Sequence, residues 1–332
     1  MKDVQIPSNI RCESFLIGVL YLVKVLSLYE DVIRVGRPYV YSTTLIIQLY
    51  IIKSWMRIPS NNMLHYFLSV KSSDDRLFRV CKLTHIPNRR TIDRRFKVLP
   101  IGDIINAMGN RFISEKIVQN KSASVDSMML KASGPLWHKS DIKKNILPIS
   151  GIDTDAACGY SKSKGWIFGY KLHMSCSVGK LIVRLSAGVT TANVHDSQVL
   201  DDLTEPLSGL LQNILADPAY DGDGFYESCK EKKLRLICPI KVYDSTPSER
   251  IKRSGFFHSW KGHELYSQRK VTIEPMFDRF KDTFRISTLP VKGFSNVKSF
   301  VLVCVLVYQL AVYYNCVIGA ENPRVVKRML CC

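Results

Sequence analysis

An α/β architecture is predicted: a mixed sheet flanked by helices and preceded by an all-helical N-terminal region. Three observations predict it. The first hundred-odd residues carry long apolar runs and no strand-like alternation. From Lys121 onward, short strand-like runs alternate with turn residues and helical stretches. The chain has 332 residues, 46% of them hydrophobic and 23% charged, enough for two or three compact units with an ordinary core.

In the first part, residues 14–28 (SFLIGVLYLVKVLSL) and 43–56 (TTLIIQLYIIKSWM) read as helices separated by a turn at Gly36, Arg37 and Pro38. Ser60, Asn61 and Asn62 open another with capping residues. In residues 86–99 (IPNRRTIDRRFKVL), Pro87 and Asn88 form a turn or cap. The helix that follows sets Arg89, Arg90, Arg94 and Arg95 on the solvent side of Ile92, Phe96 and Leu99. Arginines so placed suit phosphate and bidentate base contacts, or make a solvated charged face.

The second part opens with a strand at residues 122–130. A hairpin is expected from 166–178 and 181–189 around Gly179 and Lys180, then a helix at 196–203 capped by Asn193 or Asp196. Residues 211–216 form a short buried strand ending at Asp217. A helix at 225–232 and a strand at 234–240 complete the pattern. Three strands, a helix, a strand, a helix and a strand give a mixed sheet in the order used by ribonuclease H-like folds.

Residues 241–265 are basic and interrupted by Pro247 and Gly255, which predicts a connecting loop or small insertion. His258 and His263 lack partners for a zinc site there. Beyond it, Pro275 predicts a helix beginning close to Glu274, because proline is tolerated in the first turn. On that helix Lys281 lies about 20° from Glu274, while Phe277, Phe280 and Phe284 gather on another face. Residues 300–320 are apolar enough for a membrane span, but Gln309, Asn315 and internal tyrosines favour a buried helix packed across a sheet.

Lys and Arg number 47 against 29 acidic residues, a formal charge of +18, which favours a polyanionic partner. None of the ten cysteines forms a C-x-x-C pair, and no charged-then-apolar leader opens the chain. Reduced thiols and a cytoplasmic, nucleoid-associated location are expected.

Three acids, Asp126 (SASVDSMML), Asp217 (NILADPAYDG) and Glu274 (VTIEPMFDRFK), sit at predicted element ends far apart in sequence. Asp221 and Asp223 compete with Asp217; its place directly after an apolar strand favours Asp217. With GYKLHMSC from Gly169, NVHDSQVLDDL from Asn193, and Tyr266, Arg269, Glu274 and Lys281 in YSQRKVTIEPMFDRFK, these segments resemble insertion-sequence DDE transposases of the group with a Tyr-Arg-Glu-Lys signature. Four residues separate Arg269 from Glu274 where three are usual, and Lys270 occupies the usual place.

The resemblance implies a ribonuclease H-like catalytic domain in which Asp126, Asp217 and Glu274 bind two Mg²⁺ or Mn²⁺ ions. These would activate water and then a DNA 3′-hydroxyl for attack on phosphodiesters. Tyr266, with Arg269 or Lys270, and Lys281 would grip phosphate. His195 and Asp196 would either assist the site or cap a helix. The implied partners are double-stranded DNA, as element ends and target, and further copies of the chain, a dimer or more on DNA; no membrane is expected.

The resulting organisation is a helical DNA-binding region at 1–115, a core at 116–240 carrying Asp126 and Asp217, the basic loop at 241–265, and helices at 266–332 completing the catalytic domain with Glu274. A ribonuclease H-like nuclease without strand joining and a non-enzymatic DNA-binding protein are the alternatives.

Overall fold

The structure is a computed structural model describing residues 4–11, 14–28, 39–71, 75–161, 165–240 and 242–326. The turn expected at Gly36, Arg37 and Pro38 lies outside these residues, as do Cys12, Cys331 and Cys332. Two compact units are formed, residues 1–108 with 299–332 and residues 109–298. The C-terminal stretch from 299 onward therefore belongs with the N-terminal helices, where a completion of the catalytic domain was expected.

In the first unit the described regular elements are helices, among them Phe15–Leu26, Thr43–Trp55, Asn61–Ser69 and Arg89–Lys97. Ser42 and Ser60 cap two of them, their hydroxyls accepting the Leu45 and Met63 amides at 3.2 and 3.1 Å. Every residue from 301 to 315, in the helix Phe294–Val317, is buried. A helix apolar all round must be covered on every side, and here the cover comes from other helices. Gly18 lies against the Tyr314 ring with no room for a Cβ. Ser54 meets Cys304 at 3.5 Å. The interrupting amides donate within the unit: Gln309 Nε2 to the Ile105 carbonyl at 3.0 Å, and Asn315 Nδ2 to the Pro323 carbonyl at 2.9 Å. Within its own unit this helix packs against other helices.

The second unit is built on a six-stranded mixed sheet: β1 (Ser122–Lys131), β2 (Ala157–Ser161), β3 (Gly165–Ser177), β4 (Arg184–Thr191), β5 (Asn213–Leu215) and β6 (Arg235–Ile237). The order is β2-β3-β1-β5-β6, and β4 also pairs with β3. One edge of β3 is shared, residues 165–169 by β2 and residues 170–176 by β4. The expected hairpin forms, with Gly179 at φ +116°, a conformation that strongly favours glycine. β2 was not expected: its sequence ACGYS is short, holds a glycine and is mostly half-exposed.

β1 runs antiparallel to β3 and parallel to β5, which in turn runs parallel to β6. Where a loop was expected at 241–265, helices Ser248–Arg253 and Gly255–His258 form, and a long helix, Trp260–Phe284, has already begun. Its start is set by Ser259, whose hydroxyl accepts the Gly262 amide at 3.1 Å. Pro275 consequently lies inside the helix instead of in its first turn. The ring removes the bond to the Val271 carbonyl. Both residues are on the exposed side, 69% of Val271 being accessible, so water can take that carbonyl while Ile273, Met276, Phe277 and Phe280 stay buried.

Candidate active site

Parallel pairing aligns Ser124 of β1 with Leu215 of β5. Two residues further on, Asp126 in the middle of β1 stands level with Asp217, which follows the carboxyl end of β5, the kind of position where open α/β sheets bind ligands. Asp217 is fixed by its surroundings: Oδ1 accepts the Ala219 amide at 3.0 Å, and its carbonyl accepts the Cys238 thiol at 2.9 Å. Its rivals are engaged elsewhere. Asp221 pairs with Arg250 and Asp223 with Arg253, both from the helix Ser248–Arg253.

Asp126 receives Arg269 from the long helix, Nη2 donating to Oδ2 at 2.6 Å, while Oδ1 accepts the Ser127 amide at 2.8 Å. Burial pushes the Asp126 carboxyl up to about 6; Arg269 and the Ser127 amide oppose this, and the charges of Asp217 and Asp196 reinforce it. Desolvation outweighs the ion pair. Removing one partner of such a pair costs about 3–5 kcal/mol, because a charge is left buried alone.

Beside the pair, Asp196 Oδ1 accepts Lys171 Nζ at 2.8 Å, and Lys171 also donates to the Val194 carbonyl at 2.7 Å. His173 is fully buried, with Nε2 2.9 Å from Thr190 Oγ1. Burial pushes its imidazole down to about 4, so it is neutral. His195 caps the turn 196–199, accepting from the Ser197 amide. The choice posed for these two residues thus divides: the histidine is a cap, and the aspartate sits beside the site.

Of the signature residues, Arg269 is buried and faces β1, whereas Lys270 is exposed. Arg269 holds a carboxylate where a grip on phosphate was expected. Tyr266 is half-buried, edge-on to Phe257 with ring centroids 5.0 Å apart. Lys281 approaches Asp278 at 3.9 Å. Glu274 is exposed, five residues from Arg269 and so about 140° around the helix from it.

Among the described residues, no three His, Cys, Asp or Glu side chains stand close enough to hold one ion. The three expected ligands are therefore not gathered as a set. Asp126 and Asp217 fit a hard divalent cation, offering oxygen donors level with one another on neighbouring strands; Glu274 is held apart by its position on the helix, and Arg269 occupies Asp126.

In the first unit the helix Arg89–Lys97 is capped by Asn88, whose Oδ1 accepts the Arg90 amide at 2.9 Å, and it buries Ile92 and Phe96 as expected. Arg89, Arg90, Arg94 and Lys97 are exposed. Arg95 is not: it is 3% accessible, donates to the Tyr41 carbonyl and Thr43 Oγ1 at 2.5 and 2.8 Å, and lies over the Tyr39 ring. At about 80° from the Ile92–Phe96 side its long stem can turn inward, so this arginine holds the fold together.

A mixed sheet carrying Asp126 and Asp217, with the helix Trp260–Phe284 packed against it through Arg269, defines an α/β protein. The chain belongs to the transposase DDE domain family, whose sequence model matches residues 122–310, more than half of its length. No curated protein matches it. Among solved structures, it is similar to a piggyBac transposase synaptic complex with hairpin DNA, at 11% identity and TM-score 0.41 over 97% of this chain and 77% of that one. It is also similar to a pre-cleavage Mos1 transpososome, at 14% identity and TM-score 0.19 over 88% and 82%.

The sequence missed two things. Arg269 as the partner of Asp126 was obscured by its irregular spacing from Glu274. Tyr220, three residues after Asp217, was not singled out, although Pro218 and its neighbours predict a tight turn that brings it back to the strand end.

Proposed function

We propose that this chain is an insertion-sequence transposase with a ribonuclease H-like catalytic domain, which cleaves DNA strands and joins them to a target in a divalent-metal-dependent reaction. The observation that carries the reading is the level placement of Asp126, within β1, and Asp217, just past the carboxyl end of β5. Asp126 and Asp217, with Glu274 as third ligand, would hold Mg²⁺ or Mn²⁺. Bound there, two ions would supply an activated oxygen nucleophile and charge stabilisation at the leaving oxygen.

The chain's own residues have separate tasks. Arg269 keeps Asp126 compensated until the site is loaded and is then free to turn to a phosphate oxygen. Tyr266, Lys270 and Lys281 line the DNA path along the long helix, and Arg89, Arg90 and Arg94 bind the duplex through the first unit. Two DNA ends imply at least a dimer during the reaction.

The test is incubation of purified protein with DNA carrying the element's ends, with and without Mg²⁺, beside Asp126→Ala. Metal-dependent cleavage and joining, both lost in the variant, is expected. Cleavage without joining points to a nuclease, and binding without either defeats the enzyme.

A further inference from the structure

Tyr220 ends the short turn Pro218–Tyr220 that follows Asp217, its amide donating to the Asp217 carbonyl at 3.1 Å. Its side chain is fully buried, yet the hydroxyl has no hydrogen-bond partner. A buried phenol normally finds one. The turn packs against the turn 196–199, which carries Asp196, and the charges acting on the ring are those of Asp196, Asp126 and Asp217, with Arg269 opposing. The unpartnered hydroxyl thus lies within electrostatic reach of three carboxylates, Asp126 and Asp217 among them. Lys171 already holds one oxygen of Asp196, and Arg269 one oxygen of Asp126.

We propose that Tyr220 is a positioning residue of the acidic site, its hydroxyl donating to a carboxylate oxygen of the Asp126–Asp217 pair when that pair takes up a cation. The inference rests on the reading of Asp126 and Asp217 as the reactive acids. A donor fixed on the turn of one acid would orient a carboxylate whose other oxygen faces the ion, so the hydroxyl acts through the ligand and not on the DNA. A residue that merely filled the core would need only its ring.

Tyr220→Phe keeps the ring and removes the hydroxyl. The melting temperature should stay equal or rise, because an unpartnered polar atom leaves the core. DNA KM should be unchanged, while the cleavage rate at saturating DNA falls at least about tenfold. Calorimetric titration with Mn²⁺ in the absence of DNA should show affinity weakened by about tenfold or more, the range seen when outer-shell partners of metal ligands are lost. Wild-type cleavage with wild-type Mn²⁺ affinity in the variant overturns the proposal, as does Mn²⁺ binding by neither protein. If the wild-type protein binds Mn²⁺ but cleaves no DNA, the transposase reading fails, and the affinity difference still decides the role of Tyr220.

Discussion

The two arginine-bearing helices, Arg89–Lys97 in one unit and Trp260–Phe284 in the other, make an instructive pair. Each was expected to offer basic side chains to DNA, and each turns one arginine into its own protein. Arg95 bonds a carbonyl and a threonine hydroxyl, both uncharged; Arg269 meets a carboxylate whose own pKa is perturbed. An arginine on neutral acceptors stabilises a fold and leaves little to exchange. An arginine on a buried acid is a partner that a cation can replace, so the same residue type is structural in one unit and bound to an acid of the proposed site in the other.

The largest effect should come from breaking the acid side of that comparison. Asp217→Ala is expected to lower strand cleavage by at least about a thousandfold with DNA affinity retained, measured in single-turnover assays. Asp221→Ala, which leaves Arg250 without its partner, should affect stability more than rate. Equal loss of rate in both variants would remove the distinction drawn between them.

A smaller effect separates the arginines of the first helix. Arg95→Ala should destabilise by about 2–3 kcal/mol, read as a fall in melting temperature, because two bonds from a charged donor are lost. Arg90→Ala with Arg94→Ala should leave melting unchanged and reduce the log–log salt slope of DNA binding by about 2. A salt slope unaffected by the double variant would mean that this exposed face does not meet phosphate.

The smallest effect concerns pH. The Asp126 carboxyl titrates near 6 in the fold, above its ordinary value, so its contribution to stability is fully present below the usual carboxylate range and is lost as pH rises through about 6. Asp126→Asn lacks that component. Melting temperatures measured without metal from pH 4.5 to 7.5 should therefore shift in favour of the variant as pH increases; a constant difference would contradict the raised value.

Much of the second unit was legible because its signals are local. Gly179 marks the hairpin and the apolar run before Asp217 marks β5, as Ser60 marks a helix start in the first unit. What escaped depended on partners distant in sequence. Arg95 carries the same charge as Arg94, and only Tyr39, Tyr41 and Thr43 make it a buried residue. Pro275 argued for a helix start, yet packing along Ile273, Met276 and Phe280 outweighs one absent hydrogen bond on a wet face. Apolarity predicted a buried helix at 301–315, but the cover could not be read from it, since helices and sheets present equally apolar surfaces.

The division of the chain bears on its synthesis. Residues 109–298 are contiguous, and this unit has all its parts once they have emerged from the ribosome. The first unit begins earlier and is completed later, because its central helix is supplied from residue 299 onward, after the intervening 109–298. Its early helices, Phe15–Leu26 among them, keep apolar faces uncovered until the residues from 299 onward have been made, and closing so long a loop carries an entropic cost. The helical unit starts before the sheet unit and is completed after it, so a chain cut short of residue 299 would strand apolar helix surface without its core.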